Sequence, residues 1–356
     1  MSGWTMAGRS AIGIDLGGRS INALQLSGST DNWRVEAAVR LPRCDTNGPF
    51  DEREALRLAD VLHRHGFTGR RLVVAAPSDK LMNAVLQLPP RDSGAPIDQI
   101  VQVEFARTFD VEAGSFETAV WDLPTPDHVN RDAHVLAVGL SHDDANALCS
   151  AFESAGLEVE AIDTKPWAVG RATRRLRAGK SGITATLDLE WKTAVLALFH
   201  RDAVLYERAI TDGGLGPLHQ ALIELTKDDD QVAEFLITRI GLHDQDSQID
   251  VNPAGVMQAQ RRIRAHFDGI VRDLDDSMRY ASRQYPDVPF DSIMLTGDAA
   301  AIPGIAEHLS ATLNVEVSAR TPSEIVPCVE HVLDVCGDSA LLPALGLAMF
   351  DRRQAA

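Results

Sequence analysis

The stretch from Ile12 to Leu26 reads Ile-Gly-Ile-Asp-Leu-Gly-Gly-Arg-Ser-Ile-Asn-Ala-Leu-Gln-Leu, and it decides how the rest of the chain is interpreted. Two apolar runs flank Gly17-Gly18-Arg19-Ser20, which is typical of a β-hairpin with a glycine-rich turn. Asp15 lies at the end of the first run. Backbone N–H groups in such a turn can hold phosphate oxygens, and an adjacent aspartate can hold Mg²⁺ through water. The alternative is an ordinary edge hairpin, and this stretch alone does not separate the two.

The same pattern recurs in the second half of the chain. An apolar run from Ile183 to Leu189 carries Asp188 near its end, Glu190-Trp191-Lys192 is the predicted turn, and Thr193 to Phe199 continues the sheet. Asp15 and Asp188 therefore hold equivalent places in two strand-turn-strand units. A duplication of this kind predicts two similar lobes that face each other over a cleft. It also favours the phosphate interpretation over the plain hairpin.

Length, charge and cysteine spacing limit the class of protein. The 356 residues suit two domains, and the formal net charge of -17 argues against nucleic acid as a partner. The apolar runs fall far short of the roughly 20 residues that cross a bilayer, and the first ten residues lack an apolar signal-peptide core. The four cysteines fit neither a zinc site nor a disulfide framework. We therefore expect a cytoplasmic protein with reduced thiols.

The order of predicted elements divides the chain into five parts. They are a first lobe (residues 10–91), an inserted α+β module (92–163), a return helix and hinge (164–180), a second lobe (181–330) and a C-terminal helix that returns to the first lobe (331–356). The module is predicted from an amphipathic helix over Ile97 to Phe109 with strands on either side. The predicted fold class is α/β with two duplicated lobes.

Several motifs, in this order, resemble those of a known superfamily. The Ile-Gly-Ile-Asp-Leu-Gly hairpin, the second hairpin with Asp188, and Leu295-Thr296-Gly297 resemble the phosphate-1, phosphate-2 and adenosine motifs of the actin-like ATPases, which have two RNase H-like lobes. Leu136 to Leu140 and Glu160 to Ala168, near the end of the module, resemble the type IV pilus assembly protein PilM and its relatives. The likeness covers residues 10 to 350.

The resemblance implies a cytoplasmic component of an inner-membrane assembly platform, related in fold to FtsA and peripheral to the membrane through a partner. That partner would be the N-terminal peptide of a PilN-like membrane protein, bound in a groove between the module and the first lobe. The resemblance also allows self-association. The side chains expected to form the apolar wall of the groove are Leu86, Leu88, Val101, Phe105 and Phe109. The alternative for Val101, Phe105 and Phe109 is plain packing in the core of the module.

The resemblance further implies a site for ATP and Mg²⁺, with Asp15 and Asp188 on the metal side. By position, its residues are Asp15, Gly17, Gly18, Arg19, Asp188, Lys192, Thr193, Gly213, Gly214, Glu234, Gly297 and Asp298. Four features depart from the family pattern. Glu190 replaces a glycine, Arg19 replaces a small or hydroxyl residue, Asp298 replaces a second glycine, and the helix segment from Ala233 to Ile237 lacks the family's lysine.

These departures predict a nucleotide site that is weak or lost, because a desolvated carboxylate beside phosphate is unfavourable. Arg19 is expected either to pair with Glu190 across the cleft or to contact phosphate. We therefore favour a non-catalytic scaffold with residual binding of ATP and Mg²⁺. An active actin-fold ATPase or small-molecule kinase is the first alternative, and it needs an intact phosphate cradle. A membrane-tethered filament protein like FtsA is the second, and we expect the tail from Phe350 to Ala356 to be too short and polar for its anchor.

Overall fold

The computed structural model describes residues 8–29, 32–46, 48–123, 133–226, 229–243 and 253–351. In that part of the chain the strands are β1 (Ile12–Leu16), β2 (Ser20–Ser27), β3 (Arg34–Pro42), β4 (Arg71–Ala75), β5 (Met82–Leu88), β6 (Phe116–Asp122), β7 (Ala133–Ser141), β8 (Glu158–Asp163), β9 (Ile183–Leu189), β10 (Ala194–His200), β11 (Ala203–Ile210), β12 (Phe290–Thr296) and β13 (Glu316–Ala319). The helices are α1 (Glu52–Arg64), α2 (Ile97–Phe109), α3 (His142–Ser154), α4 (Lys165–Arg177), α5 (Leu215–Leu225), α6 (Asp230–Phe235), α7 (Pro253–Gln284), α8 (Ile305–Leu313), α9 (Pro322–Ile325), α10 (Leu333–Cys336) and α11 (Leu342–Ala348).

Two five-stranded sheets with equivalent strand orders form the two lobes. The first sheet has the order β3-β2-β1-β4-β8, and the second has the order β11-β10-β9-β12-β13. In each sheet the first three strands are antiparallel, and the last two run parallel to the central strand. Asp15 and Asp188 are the penultimate residues of the equivalent strands β1 and β9. The predicted duplication is therefore confirmed.

Helices cover both faces of the first sheet. Leu58 of α1 and Phe152 of α3 pack on one face, while Val169 of α4 and Leu345 of α11 pack on the other. Because neither face meets water, every residue of β1 is buried, including Gly13 and Asp15, which alternate with its apolar side chains. The second sheet packs its inner face against α5, α7 and α8 in one large core.

The last helix, α11, packs closely on the first lobe. A Cβ atom on Gly346 would lie 1.8 Å from the backbone oxygen of Ala168 in α4, and one on Gly13 would lie 2.2 Å from the backbone oxygen of Ala344. Glycine at these two positions lets α11 lie directly against both α4 and β1. The start of α4 is thereby fixed relative to the hairpin that follows β1.

A small sheet of order β5-β7-β6 with helix α2 forms the inserted module. Its core contains Leu86, Leu88, Val101 and Phe105, each at least nine-tenths buried, and Phe109 packs on the Phe105 ring with centroids 4.7 Å apart. The expectation that these side chains face an open groove is wrong for the four buried residues. Their apolar side chains fill the core of the module, as the alternative prediction for Val101 and Phe105 stated.

The module ends earlier in the chain than the sequence pattern predicts. Strand β8 pairs with β4 in the sheet of the first lobe, and Leu148, Phe152 and Leu157 belong to the core of that lobe. Strand β5, by contrast, pairs with β7 and belongs to the module. The module therefore extends from β5 to β7, because sheet pairing between distant strands decides the boundary and local pattern does not record it.

The face of the module sheet opposite α2 packs against the second lobe. Leu136 and Val138 of β7 lie in one cluster with Ala197, Phe199 and Val204 of β10 and β11. The ring of Trp121 stacks on Trp167 of α4, with centroids 4.4 Å apart and planes at 23°. Asn83 Nδ2 of β5 donates to Glu207 Oε1 of β11 at 2.9 Å. The module consequently joins the two lobes on one side of the cleft; we call this the module contact.

Among the described residues, no single helix is long and apolar enough to cross a bilayer. The helix pair Glu330–Cys336 and Ser339–Ala348, which is bent by 99°, reaches that length and apolarity only when the two helices are counted together.

Candidate functional site

The two hairpin turns meet in the cleft between the lobes. Gly18, in the turn between β1 and β2, lies so close to the second turn that a Cβ atom on it would be 3.2 Å from Trp191 Cβ and 3.1 Å from Lys192 Cγ. Gly297 has a φ of 84°, and a Cβ atom there would be 2.6 Å from Asp188 Oδ1. Glycine is required at Gly297, where φ is positive and a Cβ atom would clash, whereas a side chain at Gly18 would crowd Trp191 and Lys192.

A buried lysine lies where the two aspartates converge. Lys165 is the first residue of α4, and its Nζ is 2.9 Å from Asp15 Oδ1 and also donates to Glu190 Oε1. The Lys165 side chain is only 3% exposed. Burial by itself lowers the pKa of Lys165, but the carboxylates of Asp15, Glu190 and Asp188 outweigh burial and raise it above its usual value. The ammonium group is therefore charged.

Three carboxyl groups surround this one ammonium group. Thr296 Oγ1 donates to Asp188 Oδ1 at 3.0 Å, whereas Asp188 Oδ2 is buried without a hydrogen-bond partner. Burial raises the pKa of Asp188 to about 6; Lys165 opposes the rise and Asp15 adds to it. Burial also raises the pKa of Glu190 well above its usual value, against the pull of Lys165. Because one cation faces three carboxyls, the cluster favours a proton on Asp188 or Glu190, the two groups whose pKa is raised.

Asp15 is also held by its own strand neighbour. Asn22, its partner in the β1–β2 register, donates from Nδ2 to Asp15 Oδ2 at 3.1 Å and to the backbone oxygen of Ala340 at 3.0 Å. The remaining oxygen, Oδ1, faces Lys165. Oδ2 of Asp15 is therefore hydrogen-bonded, whereas Oδ1 is buried in an ion pair with Lys165 and has no hydrogen-bond partner.

Arg19 crosses the cleft, but to a different acid from the one expected. Its Nη1 lies 2.8 Å from Glu234 Oε2, and its guanidinium carbon lies 4.9 Å from the centre of the Trp191 ring. Glu190 instead bonds Lys165. The predicted pairing of Arg19 with Glu190 is therefore wrong, because the buried ammonium group is the nearer partner for Glu190.

A third cation bridges the lobes at the loop that follows β12. Arg40 of β3 donates to Asp298 and to Asp338. Burial raises the pKa of Asp298, Arg40 opposes the rise and Asp338 adds to it. Sequence reasoning missed Arg40, since its partners lie 258 and 298 positions further along the chain and no local pattern connects them.

The other predicted cofactor residues support the second hairpin. Thr193 Oγ1 donates to the backbone oxygens of Ala194 and Ile210, at 3.2 and 3.1 Å. A Cβ atom on Gly214 would be 2.4 Å from the carbonyl group of Lys192, and one on Gly213 would be 2.9 Å from Ala194 Cβ. Thr193, Gly213 and Gly214 therefore hold the turn against the following loop, while Lys192 is exposed beside Gly18.

Sequence reasoning also missed Lys165, although one feature of the sequence indicates its role. Cations are unfavourable at the start of a helix, where the backbone dipole is positive, and no acidic residue stands in the first turn of α4 to offset it. A buried lysine at this position therefore requires carboxylates from elsewhere in the fold. Lys165 occurs directly after the cap residue Thr164, whose hydroxyl accepts from the backbone N–H of Trp167 at 3.4 Å.

The side chains of the cleft do not fit a divalent cation held by the two aspartates. Magnesium requires several oxygen ligands at about 2.0–2.1 Å, and the place beside Asp15 is filled by the Lys165 ammonium group. In the described part of the chain, no group of three or more His, Cys, Asp or Glu side chains is arranged to hold a metal ion. Residual binding of ATP and Mg²⁺ stays a prediction.

Two cavities adjoin the cleft and the module. One, of about 450 Å³, opens beside Lys165 and is bordered by Gly17, Phe50, Lys80 and Leu148. The other, of about 360 Å³, is a groove between the module and the first lobe. Its module side includes Thr118, Ala119 and Gly139, and its first-lobe side includes Ala76 and Ile162.

The fold is shared with several solved structures. A chain of the PilM–PilN type IV pilus biogenesis complex aligns with a TM-score of 0.78 at 19% identity, over 96% of this chain and 98% of that chain. MreB5 of Spiroplasma citri bound to ADP aligns at 0.54 and 11% identity, over 98% and 97%. The ethanolamine utilization protein EutJ from Carboxydothermus hydrogenoformans aligns at 0.53 and 16% identity, over 97% and 90%. No family model and no curated protein matches the sequence.

These likenesses and the duplicated lobes define the class of protein: it has the bilobed actin-like ATPase fold, as predicted. Within that class, the predicted resemblance to PilM is confirmed at the level of the fold, along nearly the whole length of both chains.

Proposed function

We propose that this protein is a PilM-like, non-catalytic scaffold of an inner-membrane assembly platform for a type IV pilus or a related secretion system. It works in the cytoplasm and is held at the membrane by a partner. That partner is a PilN-like membrane protein, whose short N-terminal peptide binds in the groove between the module and the first lobe. The nucleotide site of the fold is reduced to an internal ion-pair cluster.

The groove is the observation that carries the proposal. It lies where the sequence resemblance implies partner binding, on a fold that aligns at a TM-score of 0.78 with a chain of the PilM–PilN complex. Strand β6 borders the groove and is an edge strand of the module sheet. An extended peptide therefore has backbone groups to pair with on β6 and apolar surface beside it.

The charges of the cleft support the non-catalytic part of the proposal. A phosphoryl-transfer enzyme positions Mg²⁺ and phosphate with groups that remain available to the substrate. Here Asp15, Asp188 and Glu190 surround Lys165, and Glu234 is bound to Arg19. An ATP hydrolysis assay and isothermal titration with ATP test the non-catalytic part of the proposal. Turnover together with micromolar binding of ATP would exclude a non-catalytic protein.

Peptide binding tests the partner. A labelled peptide with the cytoplasmic N-terminal sequence of a PilN-like single-span membrane protein is titrated with the full protein. We expect saturable binding that Ala119→Arg abolishes, because an exposed alanine of the groove becomes a long cation. Ala265→Arg on the exposed face of α7, in the other lobe, is the matched control and should bind as the unmodified protein does.

A folded Ala119→Arg variant that binds with unchanged affinity would place the peptide elsewhere. Absence of binding by the unmodified protein would leave the fold without its proposed partner.

A further inference from the structure

The position between the two hairpin aspartates is filled from within the chain. Lys165 reaches it from α4, which is fixed to the first lobe through α11, and contacts Asp15 of the first lobe and Glu190 of the second at once. Exposed fractions of 3%, 1% and 13% for the side chains of Lys165, Asp15 and Glu190 show that these charges are withdrawn from water. Buried charges of this kind persist only when they are paired.

We propose that the Lys165 ammonium group is the permanent cation of the cleft: it takes the place of a divalent ion and holds the two lobes together without metal or nucleotide. Removing this group should leave Asp15, Asp188 and Glu190 as a carboxylate cluster with no internal cation. With Lys165 in place, no three acidic side chains of the described residues are arranged as a metal site. Without the ammonium group, the carboxylate oxygens, which hard divalent cations prefer as ligands, would be left uncompensated. The lysine thus occupies a cation site that its removal would open.

Other ion pairs between the lobes also have their cation in the first lobe and their carboxylate in the second. Arg19 and Arg40 are both in the first lobe, and each pairs with an acid of the second lobe, Glu234 and Asp298 respectively. Arg174 of α4 pairs with Asp202 of the second lobe at 2.8 Å in the same way. In these four cross-lobe pairs, counting Lys165 with Glu190, the first lobe supplies the cation and the second lobe supplies the carboxylate. The lobes therefore attract each other through their own side chains, and this arrangement of the lobes needs no ligand between them.

The experiment compares the full-length protein with Lys165→Met, using thermal unfolding with and without MnCl₂. The unmodified protein should show no shift with Mn²⁺. Lys165→Met should unfold at a midpoint lower by about 5 °C or more, because removing one partner of a buried ion pair leaves the other uncompensated. Mn²⁺ should then restore part of that loss, and electron paramagnetic resonance should detect one bound ion in the variant only.

Controls separate the cation site from general damage. Lys80→Met removes an exposed lysine that lies 3.1 Å from Asp144 and should change neither the midpoint nor the response to Mn²⁺. Lys165→Met combined with Glu190→Gln removes the Glu190 charge too, so it should be more stable than Lys165→Met alone and respond less to Mn²⁺. If Lys165→Met does not fold, the double variant and Lys165→Arg, which keeps the positive charge, provide the comparison.

Two results would overturn the proposal. One is a Lys165→Met protein with the midpoint of the unmodified protein and no response to Mn²⁺. The other is tight binding of Mn²⁺ by the unmodified protein that Asp15→Asn abolishes. The proposal rests on the non-catalytic part of the proposed function. None of these measurements uses the partner peptide, so it stands or fails separately from the partner-binding part.

Discussion

Two of the contacts between the lobes have opposite chemistry. The cleft is held by buried charges centred on Lys165, whereas the module contact is held by apolar side chains, among them Val138, Phe199 and the stacked pair Trp121 and Trp167. Burying charges costs desolvation that their attraction largely offsets, so such pairs fix geometry more than they add stability. Apolar burial contributes roughly 25 cal/mol per Å² with little demand on geometry. The module contact should therefore contribute most of the free energy that holds the lobes together, and the charges of the cleft should fix how the lobes are placed relative to each other.

The largest effect should come from the apolar side. Phe199 is 1% exposed, and Phe199→Ala should lower the free energy of unfolding by about 3–5 kcal/mol, measured by urea denaturation, because it leaves a cavity that the sheet cannot close. Phe235→Ala, at a side chain 36% exposed, is the control and should cost much less. Equal losses in the two variants would contradict the view that Phe199 anchors this contact.

Glu207 is a buried carboxylate of the module contact whose contribution to stability should depend on pH. Burial raises its pKa to about 7, which a hydrogen bond from Asn83 only partly opposes. The folded state therefore binds its proton more tightly than the unfolded state does, and stability should fall as pH rises from about 4.5 to about 7. Glu207→Gln should raise the unfolding free energy at pH 8 by at most about 3 kcal/mol.

The control for Glu207→Gln is the same variant at pH 4. There the glutamate is protonated in both states, so the two proteins should have nearly equal stability. A gain of equal size at both pH values would show that the effect has no electrostatic origin.

A smaller loss should follow removal of the stacked ring. Trp121 is half-buried, so Trp121→Ala should cost about 1–2 kcal/mol of unfolding free energy, and Trp121→Phe should recover part of it because a ring remains to stack on Trp167. The emission of Trp167 should shift to longer wavelength as it gains water. Unchanged stability in Trp121→Ala would mean that the module is held by Val138 and Phe199 alone.

The smallest effect should be Glu190→Gln in the cleft. Three carboxyl groups surround one ammonium group, so removing the Glu190 charge relieves repulsion while Lys165 keeps Asp15; the net change should be about 1 kcal/mol or less. The exposed Glu307→Gln is the matched control. A loss as large as that in Lys165→Met would show that Glu190 is the essential partner of the ammonium group.

Much of the fold was predictable because it follows from the pattern of residues that are close together in the sequence. The two strand-turn-strand units appear as apolar runs that carry Asp15 and Asp188 before glycine or turn residues, and the structure gives them equivalent places in equivalent sheets. The limits of the module were not predictable in the same way. Strand β8 looks like a closing strand of the module, but it pairs with β4 across more than 80 residues.

Some residues of the site were predictable, but Lys165, Arg40 and the pairing of the charges were not. Asp15, Gly17, Gly18 and Asp188 converge as expected from their motifs, and Arg19 does cross the cleft. Its partner, however, is Glu234, and Lys165 takes Glu190. The residues assigned to the partner groove were apolar enough for either role, and only packing reveals that Phe105 lies in the module core.

Local sequence patterns were enough to predict the duplicated hairpins, the two-lobed architecture and the departures from a phosphate cradle, because strand periodicity and glycine turns depend on residues that are near one another in the chain. Which cation neutralises which carboxylate became visible only in the folded chain. Ion pairing depends on distances and burial between segments up to 298 positions apart, as for Arg40 and Asp338, and several arrangements of the same charges are compatible with one sequence.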